Sequence, residues 1–325
     1  MKYRLAATMV WVFGIQGPPL WAGAAQQPAT EAPAGFDTPT LVKNPGSNSQ
    51  SNGIAEPPGD HFALDQQIYE TQHDVNSGLG AAGQPGQSGG RIHGEAIEVP
   101  VLEAPGQTRI GRFGWKDQHS SLLSFIGDAY LNEMGVTNRL RPKDETTIGK
   151  VTPDPEDVPD ELGLADIDHF AQFVRGTKVP PRDTTLAATP AALAGEHVFS
   201  EIGCGACHVS SIATAKPGTA VNGGTFLVPA ALGNKIIHPY SDFLLHDIGT
   251  GDGIVQAGPQ DTANKLRTAA LWDLRMRPRY MHDLRSLTLR NAIERHDGEA
   301  EHVARRFREL TETQKQQLLT FLESL

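Results

Sequence analysis

The chain has 325 residues, a formal net charge of −10 and a hydrophobic fraction of only 38%. The acidic balance disfavours nucleic acid and anionic membrane surfaces as partners. With 34 glycines and 23 prolines, much of the chain is expected to run as loop over the surface.

The first 24 residues resemble an export signal. Lys2 and Arg4 precede a short apolar stretch, and Ala22-Gly23-Ala24 gives a small-x-small cleavage site. The apolar stretch is too short to span a membrane as a helix. We therefore expect cleavage after Ala24, no membrane span in the mature protein, and a location in the periplasm or otherwise outside the cytoplasm.

Residues 25–90 are predicted to form a leader without regular structure. The first part is rich in Pro, Gly, Ser, Asn and Gln, and residues 78–90 form a glycine-rich tract that suits no regular element. Weak helical character occurs only at residues 61–77. The leader should therefore be extended or disordered.

Residues 91–185 form the next predicted unit, which contains a short strand and two helices. The strand is expected at residues 97–101. The first helix should be capped by Asp117 and stopped by Gly135, and the second should run from Ala165 to Arg175. Residues 141–162, charged and rich in proline, should be loop, and Pro180-Pro181 marks the boundary to the last unit.

Residues 186–325 are predicted to be a mostly α-helical domain with long loops. A helix over residues 191–199 should end at Gly203, and residues 209–262 should be mostly loop. Three helices should close the chain. Thr288 caps the first, which should run to about His296, the second covers residues 299–310, and the third begins with a capping box formed by Thr311 and Gln314. Strands should be few and short, without parallel pairing.

The strongest chemical signal is the segment Cys204-Gly205-Ala206-Cys207-His208, which contains both cysteines of the chain. This CxxCH spacing is typical of c-type haem attachment, in which each thiol forms a thioether and the histidine binds the iron. A zinc site would need a second ligand pair, and a thioredoxin-like motif would leave His208 unexplained. We predict one covalent haem c and, since both thiols are used, no disulfide.

The second axial ligand decides whether the iron carries electrons or stays open to peroxide. His296 is the best candidate, because it lies seven residues after Leu289 on the apolar face of its predicted helix. Met276 and Met281 are the alternatives, since His/Met ligation is common in cytochromes c. We expect His282 to hydrogen-bond near the haem, oriented by Asp283.

An arginine-rich stretch lies between the haem motif and the last helices. Its members are Arg267, Arg275, Arg277, Arg279, Arg285 and Arg290. Such a run can be a solvated surface, and in a haem domain one or two members can instead pair with the haem propionates.

Several segments resemble the bacterial di-haem oxidoreductases, a family of peroxidases or thiol oxidoreductases related to cytochrome c peroxidases. They are residues 111–116, 132–138, 240–247, 265–272 and 280–283, followed by Thr288-Leu289. Related proteins carry two CxxCH motifs, of which the first belongs to the peroxide-reacting haem. This chain has only the second, and residues 78–90 lie where the first is expected. The resemblance therefore implies a lost or shortened first haem segment. Related peroxidases bind calcium between their two haem domains. The resemblance therefore also implies calcium as a cofactor, although it assigns no ligand residues in this chain.

These signals lead to one principal functional hypothesis and two alternatives. The principal hypothesis is an exported c-type haem protein that transfers electrons to or from a redox partner protein. The alternatives are a haem-dependent peroxidase that uses the remaining haem, and a truncated, inactive family member. The oligomeric state is left open by the sequence.

Overall fold

The computed structural model describes residues 29–31, 92–143, 156–175, 177 and 179–325. The predicted signal peptide, the weak helix at 61–77 and the glycine-rich tract lie outside these residues. Of the described residues, 37% are helical and 13% are in strands, which confirms the mostly α fold class. No helix among them is long and apolar enough to cross a membrane.

Seven α-helices occur in the described residues. In chain order, α1 to α7 are Leu122–Met134, Asp166–Arg175, Thr184–Ala187, Pro190–Ile202, Leu289–Glu294, Glu301–Glu309 and Glu312–Glu323. Five short 3-10 helices accompany them, at Cys204–Ala206, Asn222–Gly224, Gln260–Thr262, Leu274–Met276 and Gly298–Ala300. The predicted helices are therefore confirmed, with shifts at their ends.

The strands are two or three residues long. In chain order, β1 to β9 are Thr30–Glu31, Glu98–Pro100, Thr108–Ile110, Ile212–Ala213, Ala220–Val221, Phe226–Leu227, Lys235–Ile237, Leu245–His246 and Leu266–Arg267. They form one three-stranded sheet in the order β1-β7-β4 and three two-stranded ladders, β2-β3, β5-β6 and β8-β9. The expectation of few, short strands, including the one near residues 97–101, is confirmed.

One strand pair corrects the prediction. Thr30 and Glu31 pair in parallel with Lys235 and Ile236, although no parallel pairing was expected and residues 25–60 were predicted to be extended or disordered. The Thr30 amide donates to the carbonyl of Asn234 at 2.7 Å. An extended backbone can add to the open edge of a short strand without any side-chain pattern, so composition alone does not reveal it.

The main core forms where α4 packs on α7. Phe199 on α4 and Phe321 on α7 are buried with ring centroids 5.4 Å apart, and Tyr240 packs against both rings. Gly195 permits the close approach, because a Cβ at this position would collide with the carbonyl of Gln317. The core thus places the C-terminal end of α4, where the CxxCH motif begins, against the end of the chain.

Helix α4 ends as its sequence predicts. Thr189 caps its start, Pro190 occupies the first turn, and Gly203 adopts a left-handed conformation with φ 101°. A left-handed residue ends the helical hydrogen-bonding pattern and favours glycine. The chain therefore turns immediately before Cys204.

Two helix boundaries differ from the prediction. Helix α1 is capped by Ser121, whose hydroxyl accepts from the Ser124 amide at 2.9 Å, whereas Asp117 is a buried residue at φ 52° further upstream. Helix α5 ends at Glu294 with Arg295 as its cap, so His296 lies beyond the last helical turn. Thr288 and the Thr311–Gln314 capping box are confirmed as helix starts.

Of two smaller apolar clusters, one lies within residues 92–175 and the other joins that unit to the rest of the chain. Ile126 of α1 packs with Ala165, Ile167 and Ala171 at α2, and Ile97 and Val99 of the β2 region pack with Leu245 of β8. The proposed boundary at residues 185/186 stays a prediction. The contacts of Ile97 and Val99 with Leu245 cross this boundary and hold β8 in place, together with the loop that precedes β8.

Candidate haem site

The predicted haem-binding motif lies directly after α4. Cys204 to Ala206 form a 3-10 turn, and both cysteines are free thiols. Burial raises the pKa of the Cys204 thiol to about 12 and also raises the pKa of Cys207. Both sulfurs are therefore thiols rather than thiolates at neutral pH.

The ring of His208 is oriented by the main chain. Its Nδ1 lies 2.8 Å from the carbonyl oxygen of Tyr240. A carbonyl only accepts, so Nδ1 carries the proton and Nε2 keeps its lone pair. A histidine that binds a metal through one ring nitrogen commonly donates from the other in this way.

His296 has the same arrangement as His208. Its Nδ1 donates to the carbonyl of Ala292 at 2.8 Å, which leaves the lone pair on Nε2. Burial lowers the pKa of His296. Burial, with a smaller contribution from the neighbouring His296, lowers the pKa of His208 to about 4. The structure thus brings the two predicted axial histidines into one electrostatic environment, both neutral and both with Nε2 available.

The two methionine alternatives lie in the loop between β9 and α5. Met276 ends the 3-10 helix Leu274–Met276, and Met281 sits in a tight turn at φ 65°. Both are half-buried. They remain alternatives to His296 as the sixth ligand.

Asp283 does not orient His282, which corrects the sequence expectation. Its carboxylate accepts two hydrogen bonds from the Arg295 guanidinium, at 3.1 and 2.6 Å. His282 instead packs edge-on against Trp115, and its Nδ1 is buried. The Asp283–Arg295 pair therefore fixes the end of α5, one residue before His296.

The turn after His282 and Asp283 contains Leu284. Leu284 adopts φ 56°, in the left-handed region that glycine favours.

Two side chains of the arginine-rich stretch donate hydrogen bonds to main-chain carbonyls of distant segments. Arg275 donates to the carbonyls of Leu325 and Pro181, and Arg267 donates to the carbonyl of Gly114. The interpretation as a solvated surface is wrong for these two largely buried side chains, and pairing with haem propionates stays a prediction.

Sequence reasoning missed a buried charged cluster next to Cys207. His246 is 2% exposed and lies between Asp242, at 2.9 Å from its Nε2, and Glu299, at 3.0 Å from its Nδ1. Burial opposes the charge on His246, but the hydrogen bonds to Asp242, Cys207 and Glu299 raise its pKa to about 12. The only sequence signal was the placement of Asp242 and His246 on either side of apolar Phe243, Leu244 and Leu245.

Cys207, Asp242 and His246 could also be considered as a metal site, because one donor atom from each lies within 4.8 Å of the others. The prediction against zinc rested on the lack of a second cysteine pair and did not consider these side chains. Both ring nitrogens of His246 already face carboxylate oxygens, at 2.9 and 3.0 Å, which occupies the positions that a metal would need. The cluster therefore fits a charged hydrogen-bond network better than a metal centre.

A cavity of about 390 Å³ lies on the other side of Asp242. Its aromatic and cationic lining includes Trp115, Phe243, Trp272 and Arg267. Neither His208 nor His296 is among its lining residues.

Comparison with known proteins identifies the family. The family described as "Di-haem oxidoreductase, putative peroxidase" matches residues 97–325, which is most of the chain. The protein belongs to this di-haem oxidoreductase family. Membership implies a haem cofactor and agrees with the resemblance seen in the sequence.

Individual relatives add little to the family assignment. No curated protein matches the chain. A hydrazine synthase structure from Kuenenia stuttgartiensis is 16% identical with a TM-score of 0.40, over 98% of this chain and 100% of that one. A MauG-like protein associated with microbial copper homeostasis is 15% identical with a TM-score of 0.38, over 90% and 95%. Neither similarity is close enough to support a conclusion on activity.

The residues present fit a haem of the c type. Two thiols stand at the required spacing, and two histidines have Nδ1 bound to carbonyls and Nε2 available. Phe199 packs against the His208 ring with centroids 6.3 Å apart, which places an apolar side chain beside the imidazole that would bind the iron. The family's two haems contrast with the single CxxCH motif of this sequence.

Proposed function

We propose that this di-haem oxidoreductase-family protein carries one covalent haem c and serves as a single-electron carrier outside the cytoplasm. Cys204 and Cys207 would hold the haem, and His208 and His296 would bind its iron. The observation that carries the proposal is the shared tautomer of the two histidines, each with Nδ1–H on a carbonyl at 2.8 Å.

The haem iron supplies reversible uptake and release of one electron. The chain's own residues favour this use over peroxide chemistry, because two neutral imidazoles would occupy both axial positions. Tyr240 and Ala292 fix the ring orientations through their carbonyls, and the core around Phe199 and Phe321 excludes water. Each ring holds its proton at Nδ1 on a carbonyl, so neither ring would need to exchange a proton when a bound haem takes up an electron.

Export is part of the proposal and rests on residues 1–24. The basic start, the short apolar stretch and Ala22-Gly23-Ala24 support cleavage and release. Covalent haem attachment normally occurs outside the bacterial cytoplasm, which agrees with this location. The electron is exchanged with a redox partner protein, and no calcium ligand is assigned.

Haem attachment is tested on the purified protein by haem stain after denaturing electrophoresis. The double variant Cys204→Ala/Cys207→Ala should lose the stain. His197→Ala is the matched control, because this histidine is exposed on α4 and should leave the stain unchanged. Retained stain in the double variant would refute the attachment site.

Axial ligation is tested by electron paramagnetic resonance. Wild-type protein should be low-spin, and His296→Ala should become high-spin or acquire a replacement ligand. Met276→Leu and Met281→Leu should leave the spectrum unchanged. Loss of the low-spin signal in either methionine variant, with none in His296→Ala, would reassign the ligand.

The choice between carrier and peroxidase is made with hydrogen peroxide and a reduced small donor cytochrome. The holo-protein should undergo reversible one-electron reduction with little peroxide-dependent oxidation of the donor. Rapid haem-dependent turnover would overturn the carrier function and support the peroxidase alternative. Absence of haem in the exported wild-type protein would support the inactive-member alternative.

A further inference from the structure

One loop contacts the chain around both predicted axial ligands. Near His208, the Tyr240 carbonyl accepts a hydrogen bond from the His208 ring. The next two amides donate to the chain on either side of His208, Ser241 to the Val209 carbonyl at 3.0 Å and Asp242 to the Cys207 carbonyl at 2.8 Å. The start of this loop, residues 240–248, is therefore fixed to the CxxCH motif.

The end of the same loop is fixed to the residues that follow His296. The Asp297 amide donates to the Ile248 carbonyl at 3.0 Å, and the Glu299 amide donates to the Asp247 carbonyl at 2.9 Å. Gly298 adopts φ +55°, and a Cβ there would lie 2.6 Å from the Asp247 oxygen. Close backbone contact at this point therefore depends on glycine.

His246 links these two ends through its side chain. Its ring lies between Asp242, at the start of the loop near His208, and Glu299, three residues after His296. Each ring nitrogen faces a carboxylate oxygen, so a ring that donates from both nitrogens must be protonated. The other oxygen of Glu299 accepts from the Asp247 amide at 3.1 Å.

Residues 93–95 cover this network. Gly94 lies so close that a Cβ would be 2.8 Å from the His246 ring, and the His93 amide donates to Glu299 at 2.7 Å. The hydrogen bonds of His246 are thus charge-assisted and shielded from water, conditions under which such bonds are strongest. Breaking one would leave a buried charge without its partner.

His296 itself depends on these contacts for its position. Helix α5 ends at Glu294, so the helix does not extend over His296. The segment is held before His296 by the Arg295–Asp283 ion pair and after it by the contacts of residues 297–299. An axial ligand must stay within tenths of an ångström of its productive position.

We propose that His246 is a positioning residue that holds His296 on the haem iron by linking Asp242 to Glu299. The proposal rests on the proposed function, since it takes His208 and His296 as the axial ligands. Weakening the link should let His296 leave the iron without removing the covalently attached haem.

The test uses haem-loaded, full-length protein and two variants of the link. Glu299→Gln keeps an acceptor for the Asp247 amide but removes the charge that faces His246, and His246→Phe removes both hydrogen bonds. The control is His93→Ala, because only the main-chain amide of this exposed residue joins the network. The readouts are spin state by electron paramagnetic resonance, haem-to-protein ratio, and carbon monoxide binding to the reduced protein.

Both link variants should keep their haem, gain a high-spin fraction and bind carbon monoxide at least about tenfold faster than wild type, as expected when a charge-assisted hydrogen bond is lost. His93→Ala should behave like wild type. If His246→Phe does not accumulate, Glu299→Gln decides the question. The proposal would be overturned if Glu299→Gln kept the spin state and the carbon monoxide binding rate of wild type. It would also be overturned if the control His93→Ala changed as much as the link variants.

The failure of the proposed function would look different. In that case His296→Ala would itself keep the wild-type low-spin spectrum, whatever the link variants do. If the wild type is low-spin and His296→Ala loses this spectrum while the link variants keep it, only the positioning role of His246 is refuted.

Discussion

The helical core and the loop around His246 stabilise the two sides of the candidate site by different forces. The core between α4 and α7 is apolar, with Phe199, Phe321 and Leu318 buried. The loop of residues 240–248 is held by main-chain hydrogen bonds and by the buried charges of Asp242, His246 and Glu299. Apolar burial is independent of pH, whereas a buried ion network is not, so the two regions should respond differently to substitution and to pH.

The largest effect is expected in the core. Phe321→Ala removes a fully buried ring that contacts Phe199 and Tyr240, so the free energy of unfolding should fall by about 3–5 kcal/mol. Denaturant unfolding of the haem-loaded protein measures it. The control, Leu193→Ala, changes a side chain that is 56% exposed on α4 and should stay within about 0.5 kcal/mol of wild type. Equal losses in both variants would contradict the assignment of the core.

The second prediction separates the charged loop from the core by pH. Burial lowers the pKa of His246, but hydrogen bonds to Asp242, Cys207 and Glu299 outweigh burial and raise it from 6.5 to about 12. Its stabilising contribution should therefore be complete below pH 6.5 and decrease as pH rises towards 12. Between pH 7 and 9, the free energy of unfolding of wild type should fall by up to about 1.4 kcal/mol per pH unit relative to His246→Phe. Denaturant unfolding at several pH values checks this, and parallel pH profiles for the two proteins would contradict it.

The third prediction concerns the close contact of α4 with α7. Gly195→Ala should destabilise the protein by about 1–3 kcal/mol, although alanine favours helix, because its Cβ would collide with the Gln317 carbonyl. Leu193→Ala, a change of an exposed side chain on the same helix, serves again as the control. Thermal unfolding of both variants provides the comparison. A stabilised Gly195→Ala would mean that the helices are further apart.

The smallest effect is expected at the turn after Asp283. Leu284 is 53% exposed and adopts φ 56°, so its side chain contributes little packing while the backbone is strained. Leu284→Gly should raise the free energy of unfolding by at most about 1 kcal/mol, because relief of strain exceeds the added entropy of the unfolded chain. Leu287→Gly is a control at an exposed leucine outside the positive-φ positions, and it should not be stabilising. A clear loss of stability in Leu284→Gly would show that its side chain contributes to packing.

Local sequence signals predicted much of the helical region. Gly203 ends α4, and the Thr311–Gln314 capping box starts α7, because caps and helix breakers act within one turn of the chain. The proximal part of the site has the same local character. Cys204, Cys207 and His208 lie within five residues, so their spacing alone suggests the chemistry.

Tertiary structure decided the remainder. Glu299 follows His246 by more than fifty residues. Only the folded chain shows that its carboxylate and that of Asp242 both face the buried ring of His246. The same holds for Asp283, which pairs with Arg295 rather than with its neighbour His282, and for β1, which adds to the edge of β7. Sequence by itself determined the longer helices and the CxxCH motif, because those depend mainly on neighbouring residues. The surroundings of His296 depend on long-range hydrogen bonds and charge pairing, which follow from how the chain folds back on itself.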